Sequence, residues 1–403
     1  MSRPNVKITF ANGALGSVAA SADGVVGMVV NGSAVTGKLE LGKAYVLRSL
    51  EGLDALGVTG GASDANKYLY QCVKQFYGEA GKGAELWVMV VSSSTTVSAM
   101  LDPDNENAKK LVRASGGRIR TVLALSSSAV TVSEGAALAS DVATAISKGQ
   151  ELGEWAAETL YAPVVALIEG KGYSNGSAAD LTDLTEGEAN RVGVVIGQVM
   201  EGESAYGSLA AVIAGRIAKI PVQRHIGRVK DGALKIDSAT IDGTVDIQDA
   251  DIDTVNAKGY ITLTTHVGRS GYYVCDDPLA TSEGDDYHSL ARRRVVDKAY
   301  RIAYDTLLNY LNDEVPCNSD GTLVAAVAKS WEADVVSAIA NAMTSNGELS
   351  TDPGDSKDKG VVCEVDREQN VVSTGKVRVG IGVKPYGYAK YIEATLGFTA
   401  IQS

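Results

Sequence analysis

The chain has 403 residues, enough for two or three domains with their own cores, and 45% apolar against 21% charged residues excludes a disordered polymer. A net charge of −12 excludes a general nucleic-acid or anionic-membrane binder, which needs a basic surface. No stretch reaches the ~20 apolar residues of a membrane span, and the opening Met1-Ser2-Arg3-Pro4 has no apolar signal core, so neither membrane insertion nor secretion by that route is expected.

Residues 1–20 read as an arm, with Val6, Ile8 and Phe10 alternating as in a strand and Asn12-Gly13 as a turn. Residues 24–31 predict a buried strand, 41–56 and 66–77 helices, and 85–91 a continuous apolar strand of the kind covered on both faces. The rhythm repeats: helix 105–114, strand 118–125, a long helix 133–160 begun by Ser133, then strands 163–169 and 191–199. This alternation predicts an outer α/β domain over 21–220 with a largely parallel sheet. Residues 221–258 change texture and read as a β-rich connector holding the acidic run 246–253.

An inner domain is expected over 259–387. It opens with a hairpin (261–267 and 271–275), followed by long amphipathic helices at 287–314 and 322–345. A polar loop (348–360) and a strand pair (361–366 and 376–383) close it. The arm 388–403 alternates Ile392, Ala394, Leu396 and Phe398, again a strand with one apolar face. The fold class expected is α/β followed by α+β: an outer α/β domain, a connector, two long helices on a mixed sheet, and strand-like arms at both ends.

Candidate chemistry is sparse. Cys72, Cys275, Cys317 and Cys363 are scattered and read as free thiols in a reducing compartment. Gly172-Tyr173-Ser174-Asn175-Gly176 matches a nucleophile elbow, but Gly170-Lys171 loosens the turn, and Asp246 and His266 are only distant triad candidates. Asp249, Asp251 and Asp253 begin like a calcium loop but lack its Gly and its closing Glu, so solvated acids on an exposed strand are expected. His225, His266 and His288 have no neighbour at metal-ligand spacing, and Gly380-Ile381-Gly382 is no dinucleotide fingerprint. No metal, cofactor or catalytic residue is expected.

The helix with Arg292, Arg293 and Asp297 resembles the "RR…D" helix of contractile phage tail sheath proteins, a family also represented in R-type bacteriocins and injection systems. The following pieces match in order: a Pro-containing break with Asn318, a helix bearing Trp331, a Val-Cys-Glu-Val-Asp strand, and Gly375 through Pro385. Residues 210–232 are also similar, although the family's Ala-Gly-x-Tyr-Ala is here Ala214-Gly215-Arg216-Ile217-Ala218. The likeness covers roughly 205–403.

The resemblance implies a non-enzymatic subunit stacking as six-fold rings in a helical tube around an inner tube protein, beside baseplate and tail terminator proteins. Its place would be a virion tail assembled in the bacterial cytoplasm. Val6, Ile8 and Phe10, and Ile392, Leu396 and Phe398, would be strands donated to neighbours. Val377, Val379 and Ile381 would belong to the receiving sheet. Arg292, Arg293 and Arg294 would contact the tube, although three consecutive residues fan over about 200° of a helix. Two other readings compete: a soluble α/β hydrolase using Ser174, and a cation-dependent module using the 249–253 run.

Overall fold

Near-continuous runs of Val, Leu, Ile and Met build the central sheet, because both of its faces are covered. The strands β1 (Val26–Asn31), β2 (Ala44–Leu47), β3 (Leu86–Val91), β4 (Thr121–Leu125), β5 (Val165–Glu169) and β6 (Val192–Val195) lie in the order β2-β3-β1-β4-β5-β6. All neighbours pair in parallel except β2, which runs antiparallel to β3 at the edge. Every residue of β1, β4 and β6 is buried. Counting the parallel strands alone in chain order gives 2-1-3-4-5, the doubly wound order of flavodoxin-like sheets. This computed structural model describes residues 23–61, 64–201, 204–205 and 207–398. It forms two units, Met1–Asp305 and Thr306–Ser403, so the division falls within the 259–387 stretch.

Three long helices matter for the sheet's surroundings: α1 (Asp64–Ala80), α2 (Ser140–Glu158) and α3 (Leu209–Lys219). All of α3 is buried from Leu209 to Ala218, which accounts for its Ala, Val and Ile content. It packs along α1. A Cβ on Gly215 would come within 2.6 Å of the Phe76 carbonyl, so this close approach needs glycine. Arg216 turns the same contact into an ion pair. Its Nε is 2.6 Å from Glu79 Oε1, and its other nitrogens donate to the carbonyls of Gly232 and Ala233.

Several expected elements are corrected. Residues 41–56 are not one helix: Gly42, at φ +67°, turns the chain into β2, and only Leu50–Ala55 is helical. The helix expected from Ser133 starts at Ser140, because Gly135 takes φ +77° and the Ala139 N–H bonds the Lys171 carbonyl. The strand 191–199 breaks at Gly197, φ +137°, into β6 and Gln198–Glu201. The connector is mostly turns and short helical pieces, with one three-residue strand, Ser238–Thr240. Its acids are not on a strand: Asp246 bonds the Gln248 N–H and Asp251 the Thr254 N–H, each capping a helical turn.

The expected hairpin is present as β7 (Leu263–His266) against β8 (Arg269–Val274). The long helix α4 runs Leu290–Leu308, shorter at both ends than expected. In the second unit α5 (Ala325–Ala342) lies on the antiparallel pair β9 (Val361–Val365) and β10 (Val379–Val383), a two-stranded sheet among the described residues. Leu323, Ala328, Trp331 and Val365 form its core, and Tyr310 stacks on Trp331 at 4.5 Å. No helix among the described residues is long and apolar enough to cross a membrane.

Candidate assembly surfaces

The C-terminal tail leaves β10 without forming an element of its own. Residues 384–398 carry no helix or strand, and Tyr391, Ile392, Leu396 and Phe398 are 89%, 83%, 100% and 112% exposed. A β-alternating segment cannot satisfy its backbone alone; it needs a ladder partner. Four large apolar side chains in water within eight residues mark an interaction segment rather than scattered surface residues.

Val377 and Val379 are half-buried against the Trp331 core, and Ile381 is 37% exposed. On the outward face β10 presents Gly380 and Gly382 beside Val362, which is 70% exposed. β9 and β10 pair only with each other among the described residues: the outer edge of β10 stays open to a further strand, while that of β9 is blocked at Val365, whose N–H donates to Glu332 Oε1 at 3.1 Å. Val6, Ile8 and Phe10 lie outside the described residues.

The root of that N-terminal segment is described. Asp23 accepts from Lys298 Nζ at 2.7 Å and Arg301 at 2.9 Å, both on α4. Burial raises its carboxyl pKa, but the two cations outweigh burial and hold it below the usual value. At the next residue, a Cβ on Gly24 would fall 2.2 Å from the Ala218 carbonyl, so the chain is wedged against the end of α3.

The tube contact expected at Arg292, Arg293 and Arg294 is corrected. Arg293 and Arg294 are buried, and Arg292 is half-buried. Arg293 pairs with Asp297 at 2.7 Å, one helical turn on, and Asp297 also holds Arg191 at 3.1 Å. Arg294 donates to the carbonyls of Ile217 and Ile220, groups that the end of α3 leaves without helical partners. The "RR…D" spacing therefore encodes internal bracing. Sequence periodicity places these residues around a helix but does not say which side another helix covers.

The hydrolase constellation is not assembled. Ser174 is exposed on a turn followed only by the short helical piece Ala178–Asp180, Asp246 caps its own turn, and His266 lies against Tyr273. The fold instead gathers a cluster that sequence spacing missed. Among the described residues, ligand atoms of His225, Asp276 and Asp277 lie within 4.8 Å of one another. The adjacent aspartates were the available signal. Asp277 already accepts from Ser289 Oγ and Ala291 N–H at the start of α4, so the cluster works as a cap and ion pair.

Burial alone would lower the His225 pKa, but the two carboxylates push it up to about 9. Folding thus favours the protonated ring. That contribution is full below about 6.5 and is lost as pH rises through about 9. Its ceiling is about 3 kcal/mol, and the Gly227 N–H, 3.0 Å from Nδ1, suits the neutral ring and keeps the effect smaller. The thermal midpoint is expected to fall between these pH values in the parent and much less in His225→Gln; parallel curves would contradict the assignment.

Taken together, the parallel layer, the two-stranded C-terminal unit and the exposed tail define a sheath-type fold. The chain is similar over 98% of its length, and 99% of the other's, to the helical sheath of the anti-feeding prophage in its contracted state, with 17% identity and a TM-score of 0.63. It is similar in the same way to the contracted PVC sheath of an extracellular contractile injection system (14% identity, TM-score 0.60, 98% of each chain). A sheath tail protein of Listeria innocua matches at 12% identity and TM-score 0.50, over 85% of this chain and 89% of that one. No curated protein matches in sequence. The chain belongs to the DUF2586 family: residues 3–278 match its N-terminal domain and 286–403 its C-terminal domain.

Proposed function

We propose that the chain is a structural, non-catalytic subunit of a contractile sheath. It polymerises as stacked six-membered rings around an inner tube, and contracts to drive that tube through a target envelope. One observation carries the reading: the likeness to a helical sheath extends over nearly the whole of both chains. The exposed tail supports it, since an apolar strand sequence with no element of its own is what a donated strand looks like before it finds a neighbour.

In this reading residues 21–220 form the outer part, 221–258 the connector and 259–387 the inner part. Ile392, Leu396 and Phe398 enter a neighbour's sheet beside the β9–β10 pair, and Val6, Ile8 and Phe10 do the same from the other end. Strand exchange keeps subunits linked while rings slide, and contraction releases a metastable packing. Baseplate and terminator proteins cap the assembly, which forms in the bacterial cytoplasm and serves in a phage-like particle. Deleting residues 1–12 is expected to leave a folded subunit that forms no tubes in negative-stain images. Ordered tubes from that truncation would refute the N-terminal donation.

A further inference from the structure

The two edges of the central sheet carry opposite charge. Strand β2 is one edge: it pairs only with β3, and its outer row of backbone groups has no strand beside it among the described residues. Two apolar side chains stand there in water, Leu41 at 45% and Val46 at 49% exposure. Cations surround them. Lys43 precedes the strand and Arg48 follows it. Arg48 and Arg118, both more than half exposed, share the single buried carboxylate of Glu85 at 2.8 Å each, which leaves one positive charge over. Lys110, on the helix Asn107–Ala114, donates to the neutral Gly42 carbonyl. Of the acids on these elements, Glu40 and Glu51 are taken by Lys43 and Lys82, Glu106 is shared by Lys109 and Arg113, and Asp54 is half-buried. A positive surplus remains on this edge.

Beyond β6 the sign reverses. The edge of β6 is covered, because the Ile261 N–H donates to the Val194 carbonyl and the Ile196 N–H to the Ile261 carbonyl. The residues leading into that cover are tied to the turns before β6. The Leu184 N–H donates to the Lys258 carbonyl, Lys258 Nζ to the carbonyls of Ala179 and Leu181, and Glu188 and Ala189 pair with Thr281 and Ala280. Together they form one flank, on which Asp180, Glu186, Glu188, Asp251, Asp253 and Glu283 are exposed. Lys258 is the single lysine of segments 178–189, 249–258 and 280–286, and it is turned onto backbone carbonyls. The two charged surfaces thus lie at opposite ends of a six-stranded layer, about 24 Å across at the usual strand spacing. Like charge opposes the pairing of two β2 edges with each other, which a symmetric two-fold contact would need. Opposite charge on opposite edges favours head-to-tail contact, the kind that closes into rings or runs on as a helix.

We propose that the basic β2 edge of one subunit docks on the acidic flank of a second copy, with Leu41 and Val46 sealed inside the contact. The inference rests on the sheath reading and adds which faces of the outer part meet. Two variants reverse the faces through exposed side chains: Lys43→Glu with Lys110→Glu, and Glu186→Lys with Asp253→Lys. Each is expected to melt within about 2 °C of the parent. Self-association of the full chain is read by sedimentation velocity at low salt. Each variant alone should associate about tenfold more weakly than the parent, and Val46→Asp should act alike as a second probe of the same edge. An equimolar mixture of the two reversed variants should recover association, because each reversed face then meets a reversed face and each native face a native one. Added salt should weaken association of the parent and of the mixture alike. Failure of the mixture to recover overturns the pairing. So does a loss confined to the lysine variant, which would mean that the β2 edge meets an acidic protein other than a second copy. Tubes are scored separately in negative stain: a parent without them counts against the sheath reading, while association of the mixed variants still decides this one.

Discussion

Removing residues 388–403 is expected to yield a folded subunit that no longer polymerises. The truncated segment includes Tyr391, Ile392, Leu396 and Phe398, and these four are exposed, so their loss takes nothing from the chain's own core. The midpoint of thermal unfolding is expected to move by no more than about 2 °C. In the proposed assembly the same side chains are buried, each expected to contribute about 1.5–3 kcal/mol, and their backbone completes an open sheet edge. Replacing Leu396 and Phe398 with Asp should act as the truncation does, because a buried unpaired carboxylate cannot be accommodated there. Calorimetry and negative-stain microscopy of both variants decide the matter. Tubes of parental order would end the idea, and so would a midpoint lowered by about 10 °C, which would mean that the tail packs on its own subunit.

The largest loss of stability is expected at Glu79. Its side chain is fully buried, accepting from Arg216 at 2.6 Å and from the Lys235 N–H at 2.9 Å, with Lys219 at 3.6 Å. Glu79→Ala strands the Arg216 guanidinium in the α1–α3 contact with only two carbonyls for company. A cost of about 3–5 kcal/mol is expected from urea unfolding curves. Pairing Glu79→Leu with Arg216→Met should recover most of it, since the penalty belongs to the unpaired charge and not to the missing bond. A single-variant loss under about 1 kcal/mol would show that water reaches the pair. The double variant behaving worse than Glu79→Ala would point to shape rather than charge.

The contrast between these two sites tracks what a sequence can say. Strands β3, β4 and β5 were legible because burial on both faces leaves an unbroken apolar run. The stripe Trp331, Val335 and Ile339 on α5 was legible because one face of that helix is dry. Edge strand β2 was not: its four residues are mostly half-exposed, and leucines at helix-like spacing surround them. The starts of two elements were misplaced where a glycine adopted positive φ, at Gly42 and Gly135, because such angles follow from tertiary fit. The arginines of α4 were misassigned for a related reason. Their charge suggested solvent or a partner, but the carbonyls left over at the end of α3 and the Asp297 carboxylate hold two of them inside. The tail alternates in sequence as a strand does, yet residues 384–398 form no helix or strand, and a partner strand from another copy is not something a single chain contains.

The attachment of residue 23 has a mechanical consequence. Asp23 is held by two cations on α4, and Gly24 is wedged against the last turn of α3. A pull arriving through the preceding residues meets two helices before it meets the first hydrogen bond of β1. On the proposed strand exchange, load arriving there is expected to fall first on these two ion pairs and the Gly24 contact rather than on the hydrogen bonds of the central sheet.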